Sequence, residues 1–502
     1  MITPVEAVIA LANYLHIPAP RAIDLTPSVS DQMTSAGTTT TITNVSYAAD
    51  LTAKVTTSLY FDKSGSLTRT HRIQVRLDGN YLNAQISAED GSILSLVDWV
   101  FSAGKFLVYG WGGPNDPSEG APVLRGEDTR GITQFSPYGW VDPQSKRRWN
   151  VAGNNVDVRD GRKGALETDM GTLVPGYEDG VMAYQPGSLN QAASSIFFHG
   201  NMMHDFLGVY DFTVENGAFQ KRNYGKGGRE GGSIVILVNS DITERENPDI
   251  ARFWAPPSPE PGIMELGVLQ GRSAALTFDI PTHEYFHGVS SRSTGGATNA
   301  DCLCGSRESE MLSEGWSDLM SVILRVTPKH TRRTAKFGFA EYVMGKNLRG
   351  RKYSAAPKDP KDPYSSIRGR TTHMGGAVWA GVLYDIFWNL VDRLGFDPDW
   401  MSGSTERGNT LTLWIIMVGM RLQPCLPTFL NARDAILQAT EIIQPTVLCD
   451  VWRAFAARGL GVDSRLIQGN ITATDAEVPL QPVDGFSLPA QCKDSKAAPI
   501  RQ

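Results

Sequence analysis

The pattern that most constrains this chain is His283-Glu284-Tyr285-Phe286-His287. On a helix, residues four apart lie on the same face, so His283 and His287 can direct two imidazoles at one metal ion. Glu284 follows His283 directly, where it can act on a water molecule instead of binding the metal. The pattern therefore predicts a helix through residues 283–287 that carries part of a zinc site.

Glu314 is the expected third ligand, because a catalytic zinc ion needs three protein ligands and one open position for water. It opens a helix-like run, Glu314-Gly315-Trp316-Ser317-Asp318, in which an unpaired carboxylate beside apolar residues would cost free energy. Asp318 lies one turn further on and is expected to accept a hydrogen bond from a ligand imidazole. The alternative is that both histidines are ordinary surface or core residues and that Glu314 is a surface carboxylate.

The length, composition and charge of the chain argue against several classes of protein. The 502 residues are enough for two or three domains and a large core. A formal net charge of −6 does not indicate nucleic-acid binding. No run of about 18 apolar residues is present, so we expect no membrane association. Residues Met1–Glu6 lack a basic region followed by an apolar one, so we expect no signal peptide in this chain.

The five cysteines do not define a disulfide framework. Cys425 and Cys449 flank a predicted helix, Pro427–Thr440, and are a candidate pair. Cys302 and Cys304 are too close in sequence to pair easily with each other. The spacing leaves the connectivity open.

Residues up to about Val100 differ from the rest of the chain. They contain a predicted helix, alternating apolar and polar segments, and two strands joined by Asp90-Gly91, which is typical of a hairpin. The segments are Val5–Leu15, Ala53–Phe61, Arg72–Leu77, Tyr81–Ser87 and Ser92–Asp98. They predict a small α+β module with a regulatory or chaperoning role; an ordinary N-terminal subdomain is the alternative.

The remaining chain is irregular and β-containing at first and helical from Phe278 onward. We predict a helix at Asn190–Tyr210, a strand at Ser233–Asn239 and a further helix at Val447–Leu460. Trp379, Leu383 and Phe387 repeat at helical spacing. The metal-binding pattern lies where the two halves meet, which suggests a cleft between two lobes.

The site and its surroundings resemble the fungalysin family of secreted fungal metallopeptidases. The resemblance begins with Pro281–Gly296 (PTHEYFHGVSSRSTGG) and Ser313–Asp318 (SEGWSD) and covers about residues 105–465. Further similar segments are Tyr109–Gly120, Gly153–Val156, Asn201–Phe212, Leu422–Gln438 and Trp452–Gly461.

The resemblance implies an α+β fold with a two-lobed, thermolysin-like catalytic domain that hydrolyses peptide bonds in extracellular proteins. Its lobes would be β-rich and then helical. The implied organisation is a truncated propeptide-like module at 1–104, a catalytic domain at 105–480 and a tail at 481–502. One zinc ion per chain would bind His283, His287 and Glu314, with Glu284 as the catalytic base and Asp318 behind a ligand.

The family also implies that the N-terminal module is a propeptide. Asn80–Val100 resembles the end of a fungalysin propeptide, which assists folding and keeps the enzyme inactive until it is removed. The mature enzyme would begin near Phe101–Lys105, and the zymogen would be secreted and monomeric. The family propeptide is longer and follows a signal peptide, so the alternative is an inactive or unexported homologue from a truncated gene model.

Four further sites are considered, the first by resemblance and the second by analogy. His373 lies in a segment similar to a histidine-bearing segment of the family, where it would donate to the oxyanion; a cap or a buried structural histidine is the alternative. Ala251, Arg252 and Phe253 would form the edge strand that binds extended substrate, by analogy with thermolysin-like clefts. Arg351-Lys352-Tyr353 could contact substrate or form a solvated loop. His204 lies among apolar residues and is expected in the core.

Overall fold

The computed structural model describes most of the chain in two compact units. The first comprises Met1–Gly104 with Ser136–Gly153, and the second comprises Lys105–Phe135 with Asn154–Gln502. The described residues are 1–29, 39–61, 67–77, 81–98, 105–126, 134–137, 139–140, 151–163, 176–178, 181–183, 187–245, 248–468, 480–495, 497 and 499.

The first unit contains one helix and one antiparallel sheet. Helix α1 spans Pro4–Tyr14, and Thr3 caps it by accepting a hydrogen bond from the Glu6 amide while Glu6 accepts one from the Thr3 amide. Six strands pair in sequence order. They are β1 (Thr26–Val29), β2 (Thr39–Thr43), β3 (Thr52–Phe61), β4 (Leu67–Arg76), β5 (Tyr81–Ser87) and β6 (Ile93–Asp98).

One face of this sheet forms the core with α1. Val8 and Leu11 of the helix are fully buried, as are Val55 and Ile73, which are partners across β3 and β4. The predicted hairpin is confirmed, because β5 and β6 pair antiparallel and Gly91 adopts the positive φ that its turn requires.

The second unit begins with strands in two sheets. A mixed sheet has the order β13-β14-β12-β9, in which β12 runs parallel to both neighbours and β13 lies antiparallel at the edge. A four-stranded sheet has the order β10-β11-β7-β8. These strands are β7 (Lys105–Val108), β8 (Val123–Gly126), β9 (Val156–Asp160), β10 (Gly176–Glu178), β11 (Val181–Ala183), β12 (Ile234–Ser240), β13 (Ala251–Trp254), β14 (Gly262–Leu269) and β15 (Arg272–Ser273), which pairs with β14.

Helices dominate the second unit after residue 278. A long earlier helix, α2 (Leu189–Val209), packs on the mixed sheet, where Gly200 leaves room for Val156 and Ile236. The later helices are α3 (Asp279–Ser293), α4 (Arg307–Ile323), α5 (Glu341–Met344), α6 (Thr372–Leu394), α7 (Gly408–Leu422), α8 (Phe429–Ile443), α9 (Leu448–Ala457) and α10 (Ala490–Lys493). Two short pairs of strands complete the unit: β16 (Lys336–Phe337) with β17 (Tyr353–Ser354), and β18 (Arg465–Gln468) with β19 (Leu480–Val483).

The fold class is therefore a mixed one, with a β-rich N-terminal region and a helical C-terminal part. The predicted helix at Asn190–Tyr210 and the strand at Ser233–Asn239 are confirmed to within a residue by α2 and β12.

Helix α6 is long and apolar enough to cross a membrane, a property that inspection for uninterrupted apolar runs did not reveal. Of its most apolar window, 83% is buried inside the fold. Trp379, Leu383 and Phe387 lie on it at the predicted helical spacing, each at most 1% exposed. This burial identifies α6 as a core helix of the second unit.

The disulfides differ from the predicted pair. Cys302 bonds to Cys425 and Cys449 bonds to Cys492, so the Cys425–Cys449 pairing is wrong. Cys425 and Cys449 lie beyond opposite ends of α8, a helix about 22 Å long, and each meets a cysteine from another part of the chain. Cys304 is free and exposed.

Candidate metal centre

The two histidines of the motif lie on one face of α3. Asp279 and Pro281 in the first turn favour helix initiation, and the Asp279 carboxylate accepts hydrogen bonds from the amides of Ile280 and Ala340. His283 and His287, one turn apart, bring their Nε2 atoms to 3.0 Å from each other. Both nitrogen lone pairs can thus point at one position.

Glu314 on α4 completes a group of three. Its carboxylate oxygens lie 3.4 Å from His283 Nε2 and 3.6 Å from His287 Nε2. One ligand atom from each residue lies within 4.8 Å of the others. Among the described residues, this is the one cluster of three or more His, Cys, Asp or Glu side chains with metal-binding geometry.

The donor set fits a metal ion. Glu314 Oε2 is buried and accepts no hydrogen bond from any described residue. The Arg349 guanidinium lies 3.6 Å from it but is hydrogen-bonded to Asp318, so this oxygen remains available to a metal ion. Burial lowers the pKa of His287 to about 4, whereas at His283 burial is outweighed by Asp318 and Glu314, which raise its pKa to about 10. A metal ion that binds both imidazoles would therefore displace a proton from His283. Two imidazoles and a carboxylate suit a zinc-type ion.

Asp318 lies behind His283, one turn beyond Glu314 on α4. Its Oδ1 is 2.8 Å from His283 Nδ1. Arg349 donates to both oxygens of this carboxylate, at 2.6 and 2.9 Å, and the Tyr353 hydroxyl donates to Oδ2. Burial opposes ionisation of Asp318, but Arg349 and His283 keep its pKa well below the usual value. The fully buried Asp318 is therefore a carboxylate that can fix the His283 ring.

Glu284 is the carboxyl group of the motif that does not join the cluster of three. It is 6% exposed. Burial, with Glu314 and Asp249 adding to it, raises its pKa to about 8. Next to His283 on α3, it is rotated by about 100° from that residue.

His373, on α6, lies close to the cluster of His283, His287 and Glu314. Its Nε2 lies 3.6 Å from Glu314 Oε1, and its side chain is 55% exposed. Two glycines allow α6 to approach α4 this closely: a Cβ on Gly376 would lie 2.4 Å from Glu314 Cβ, and one on Gly315 would lie 2.7 Å from the Gly376 carbonyl oxygen. Trp316 and Trp379 close the same interface in a T-shaped contact.

The edge strand β13 lies on α3. Phe253 packs where a Cβ on Gly288, the residue after His287, would be 2.7 Å from its ring. Arg252 is paired with Glu265 of β14, so its guanidinium is already engaged. Among the described residues, β13 pairs only with β14, which leaves its other edge open.

Comparison with known proteins agrees with this geometry. The sequence profile of the fungalysin metallopeptidases matches residues 105–464, a range that contains every residue of the centre. The chain belongs to the fungalysin family. It is therefore a metallopeptidase, a hydrolase that acts on protein or peptide substrates.

Several fungal extracellular metalloproteinases are similar to this fungalysin over most of its length. It is 32% identical to extracellular metalloproteinase mep of Aspergillus terreus over 494 residues, covering 93% of this chain and 74% of the relative. It is 32% identical to extracellular metalloproteinase 4 of Arthroderma otae over 493 residues, covering 91% and 72%. The identity to extracellular metalloproteinase MEP of Leptosphaeria maculans is 32% over 438 residues, covering 80% and 66%.

Other sequence-predicted residues lie elsewhere in this fungalysin. His204 is buried between Asp205 and Gln220, 2.9 Å from each, and is a core residue as expected. Arg351 pairs with Asp362 and Lys352 with Glu341, so both belong to surface ion pairs, whereas Tyr353 is buried on Asp318.

The sequence patterns did not predict a role for Arg349. The sequence signal was a basic run, Arg349-Gly350-Arg351-Lys352, in which nothing distinguishes the buried arginine from the exposed cations. The guanidinium of Arg349 lies over the Phe339 ring and 3.6 Å from Glu314, so it balances two buried carboxylates.

Proposed function

We propose that this fungalysin is a secreted zinc endopeptidase made as a zymogen. His283, His287 and Glu314 would hold the zinc ion. The observation that carries the proposal is the buried Glu314 oxygen without a hydrogen bond, within a group of three ligand atoms that are at most 4.8 Å apart. The names of the extracellular relatives support secretion and an extracellular protein substrate.

Zinc, when bound, supplies a Lewis acid that lowers the pKa of a water molecule toward about 7 and polarises the substrate carbonyl. Glu284 is the general base. Burial raises its pKa to about 8, but the positive charge of a bound zinc ion would favour its carboxylate form. In that form it would take a proton from the attacking water and deliver it to the leaving amine nitrogen. Its burial excludes bulk water from this transfer, and its rotation from the histidine face leaves its carboxylate free of metal ligation.

His373 is proposed to donate a hydrogen bond to the oxyanion. The support is its partly exposed side chain, whose Nε2 lies 3.6 Å from the carboxylate of Glu314. His373→Ala is expected to lower kcat with little change in zinc content, as measured by steady-state hydrolysis and metal analysis of the same sample. Loss of zinc in this variant would instead indicate a structural role.

Ala251, Arg252 and Phe253 are proposed to bind extended substrate through their main chain. The open edge of β13 and its packing on α3 support this assignment. Because the Arg252 side chain pairs with Glu265, we assign it no charge contact with substrate. The cleft would lie between a β-rich and a helical lobe, as in thermolysin.

The N-terminal residues 1–104 are proposed to be the inhibitory propeptide, the catalytic domain to span 105–480, and 481–502 to be a tail. The family match begins at residue 105, which is also where the second unit begins. We propose that the enzyme acts as a monomer.

The test is casein hydrolysis by purified, proteolytically trimmed protein with and without a zinc chelator. We expect about one zinc per chain, activity that the chelator abolishes, and recovery when zinc is returned. Hydrolysis that survives complete removal of zinc, or stoichiometric zinc without hydrolysis, would reject the proposal. The second outcome would favour the alternative, a catalytically inactive homologue.

A further inference from the structure

We propose that Ser313 is a positioning residue that fixes the ring of His287 for metal binding. Its hydroxyl oxygen lies 3.0 Å from His287 Nδ1. Within the described part of the chain, Ser313 is the one hydrogen-bond partner of this nitrogen. The inference rests on the proposed function, because it assigns a role toward the zinc ion that His287 would bind.

The chemistry of a neutral imidazole explains why this contact matters. The ring carries one N–H, and Nε2 of His287 must present a lone pair to the metal, since it faces His283 Nε2 and Glu314. The hydrogen must therefore be on Nδ1, where a hydroxyl oxygen can accept it. The Ser313 hydroxyl accepts this hydrogen and thereby restricts rotation of the ring about its Cβ–Cγ bond.

The two histidines are held in different ways. His283 Nδ1 faces the carboxylate of Asp318, which is itself fixed by Arg349 and Tyr353. His287 Nδ1 faces a neutral hydroxyl. Glu284, Glu314 and Asp318 already bring three carboxyl groups to this region, where the buried guanidinium of Arg349 faces the last two. A neutral partner on His287 avoids a fourth buried carboxyl group.

Helix α4 provides one of the three proposed ligands and contacts the other two. Ser313 supports His287, Glu314 is itself a ligand, and Asp318 supports His283. These residues lie within two turns of one helix that packs against α3, so their spacing is fixed by helix geometry. A side chain on such a rigid element can hold a ligand with little loss of entropy.

The test compares Ser313→Ala with two other variants. Ser313→Thr retains a hydroxyl. Ser317→Ala is the matched control, since Ser317 lies one turn further along α4, is fully buried and makes no side-chain hydrogen bond with a described residue. Zinc affinity is measured on the full chain by competition with a chromophoric chelator, and zinc release is followed after addition of excess chelator.

We expect Ser313→Ala to bind zinc about 10–100-fold more weakly, the range found when partners of metal-binding histidines are removed, and to release it faster. Ser313→Thr should stay within a few-fold of the wild type, and Ser317→Ala should be unchanged. At saturating zinc, Ser313→Ala should lower kcat more than it changes KM. Thermal unfolding of the zinc-free proteins should be the same for the wild type and Ser313→Ala.

A zinc affinity of Ser313→Ala within twofold of the wild type would overturn the proposal. An equal loss in Ser317→Ala, or no recovery in Ser313→Thr, would also overturn it, because the effect would then not depend on the Ser313 hydroxyl. A wild-type protein that binds no zinc would reject the proposed function itself, which is a distinguishable result.

Discussion

Glu284 and Glu314 are two buried carboxyl groups with different tasks, and their surroundings separate the tasks. Glu314 lies within 3.4–3.6 Å of both imidazole Nε2 atoms, the distances expected between ligands of one ion. Glu284 belongs to the same helix as both histidines but is turned away from their common face. A substitution that removes charge while keeping shape should therefore have a different effect at each position.

Glu284→Gln should retain zinc and the fold while turnover falls by at least about 10²–10⁴-fold, the loss typical of a missing general base. Glu314→Gln is the matched control and should weaken zinc binding, because it removes a charged ligand. Metal analysis and casein hydrolysis of both variants test the assignment. If Glu284→Gln holds zinc and remains within a few-fold of wild-type activity, Glu284 is not the base.

The residues in and around the cluster of His283, His287 and Glu314 differ in how readily the sequence predicts them. His283 and His287 could be found because the helical repeat brings positions four apart together, and Glu314 and Asp318 because one turn separates them on the next helix. Arg349 and Ser313 could not be found in this way. Arg349 reaches Asp318 across 31 residues of chain, and Ser313 reaches His287 across 26. Their roles arise from packing between elements.

At the scale of elements, the contact between α4 and α6 brings His373 to Glu314. Gly376→Ala would put a Cβ 2.4 Å from Glu314 Cβ and against the Gly315 amide, so the helices must separate. We expect a loss of about 1–3 kcal/mol in stability, as for other overpacked interfaces, together with weaker zinc binding. Chemical unfolding and zinc competition measure the two effects.

Gly381→Ala is the control for this prediction. It lies on α6 as well, but the atoms nearest to its added Cβ belong to the Arg458 guanidinium, at 3.1 Å and beyond. This group is held by Asp385 and would have to shift by only a few tenths of an ångström. Alanine also favours a helix interior over glycine by about 1 kcal/mol. Equal behaviour of the two variants would contradict the view that close approach at Gly376 positions the ligand.

The disulfide Cys302–Cys425 joins segments 123 residues apart, so it restricts the unfolded chain strongly. Replacing both cysteines by serine should cost about 2–5 kcal/mol in the free energy of unfolding. Cys304→Ser, which removes the free exposed thiol, should have no comparable effect. Denaturant unfolding under oxidising conditions compares them. A double variant as stable as wild type would show that this bond contributes little.

Sequence patterns predicted many of the helices and strands but not the disulfide pairings. Leu189–Val209, Pro4–Tyr14 and the β5–β6 hairpin follow from local periodicity and turn chemistry, which act over a few residues. The partners of Cys302 and Cys449 depend on which distant segments meet in the fold. Spacing along the chain carries no information on that, which is why the pair flanking α8 was wrong.

At the scale of the whole molecule, the division into two units bears on activation. The first unit includes Ser136–Gly153 besides Met1–Gly104. A cut between Gly104 and Lys105 therefore leaves one segment of the first unit covalently joined to the second. We expect the proposed propeptide to remain bound after such a cut, because breaking one peptide bond removes none of its non-covalent contacts.

We therefore expect activation in two steps, cleavage near Lys105 and then release of residues 1–104. Limited proteolysis should give a nicked protein in which the N-terminal fragment co-elutes on size exclusion and casein hydrolysis remains low. Activity should rise when the fragment dissociates or is degraded, because inhibition by a propeptide depends on its occupancy and not on its covalent bond.

The control is catalytically dead Glu284→Gln, nicked in the same way, which separates fragment release from self-digestion. If the uncleaved chain hydrolyses casein as fast as the trimmed enzyme, residues 1–104 are not inhibitory. Full activity in the nicked complex before release would leave cleavage as the only step.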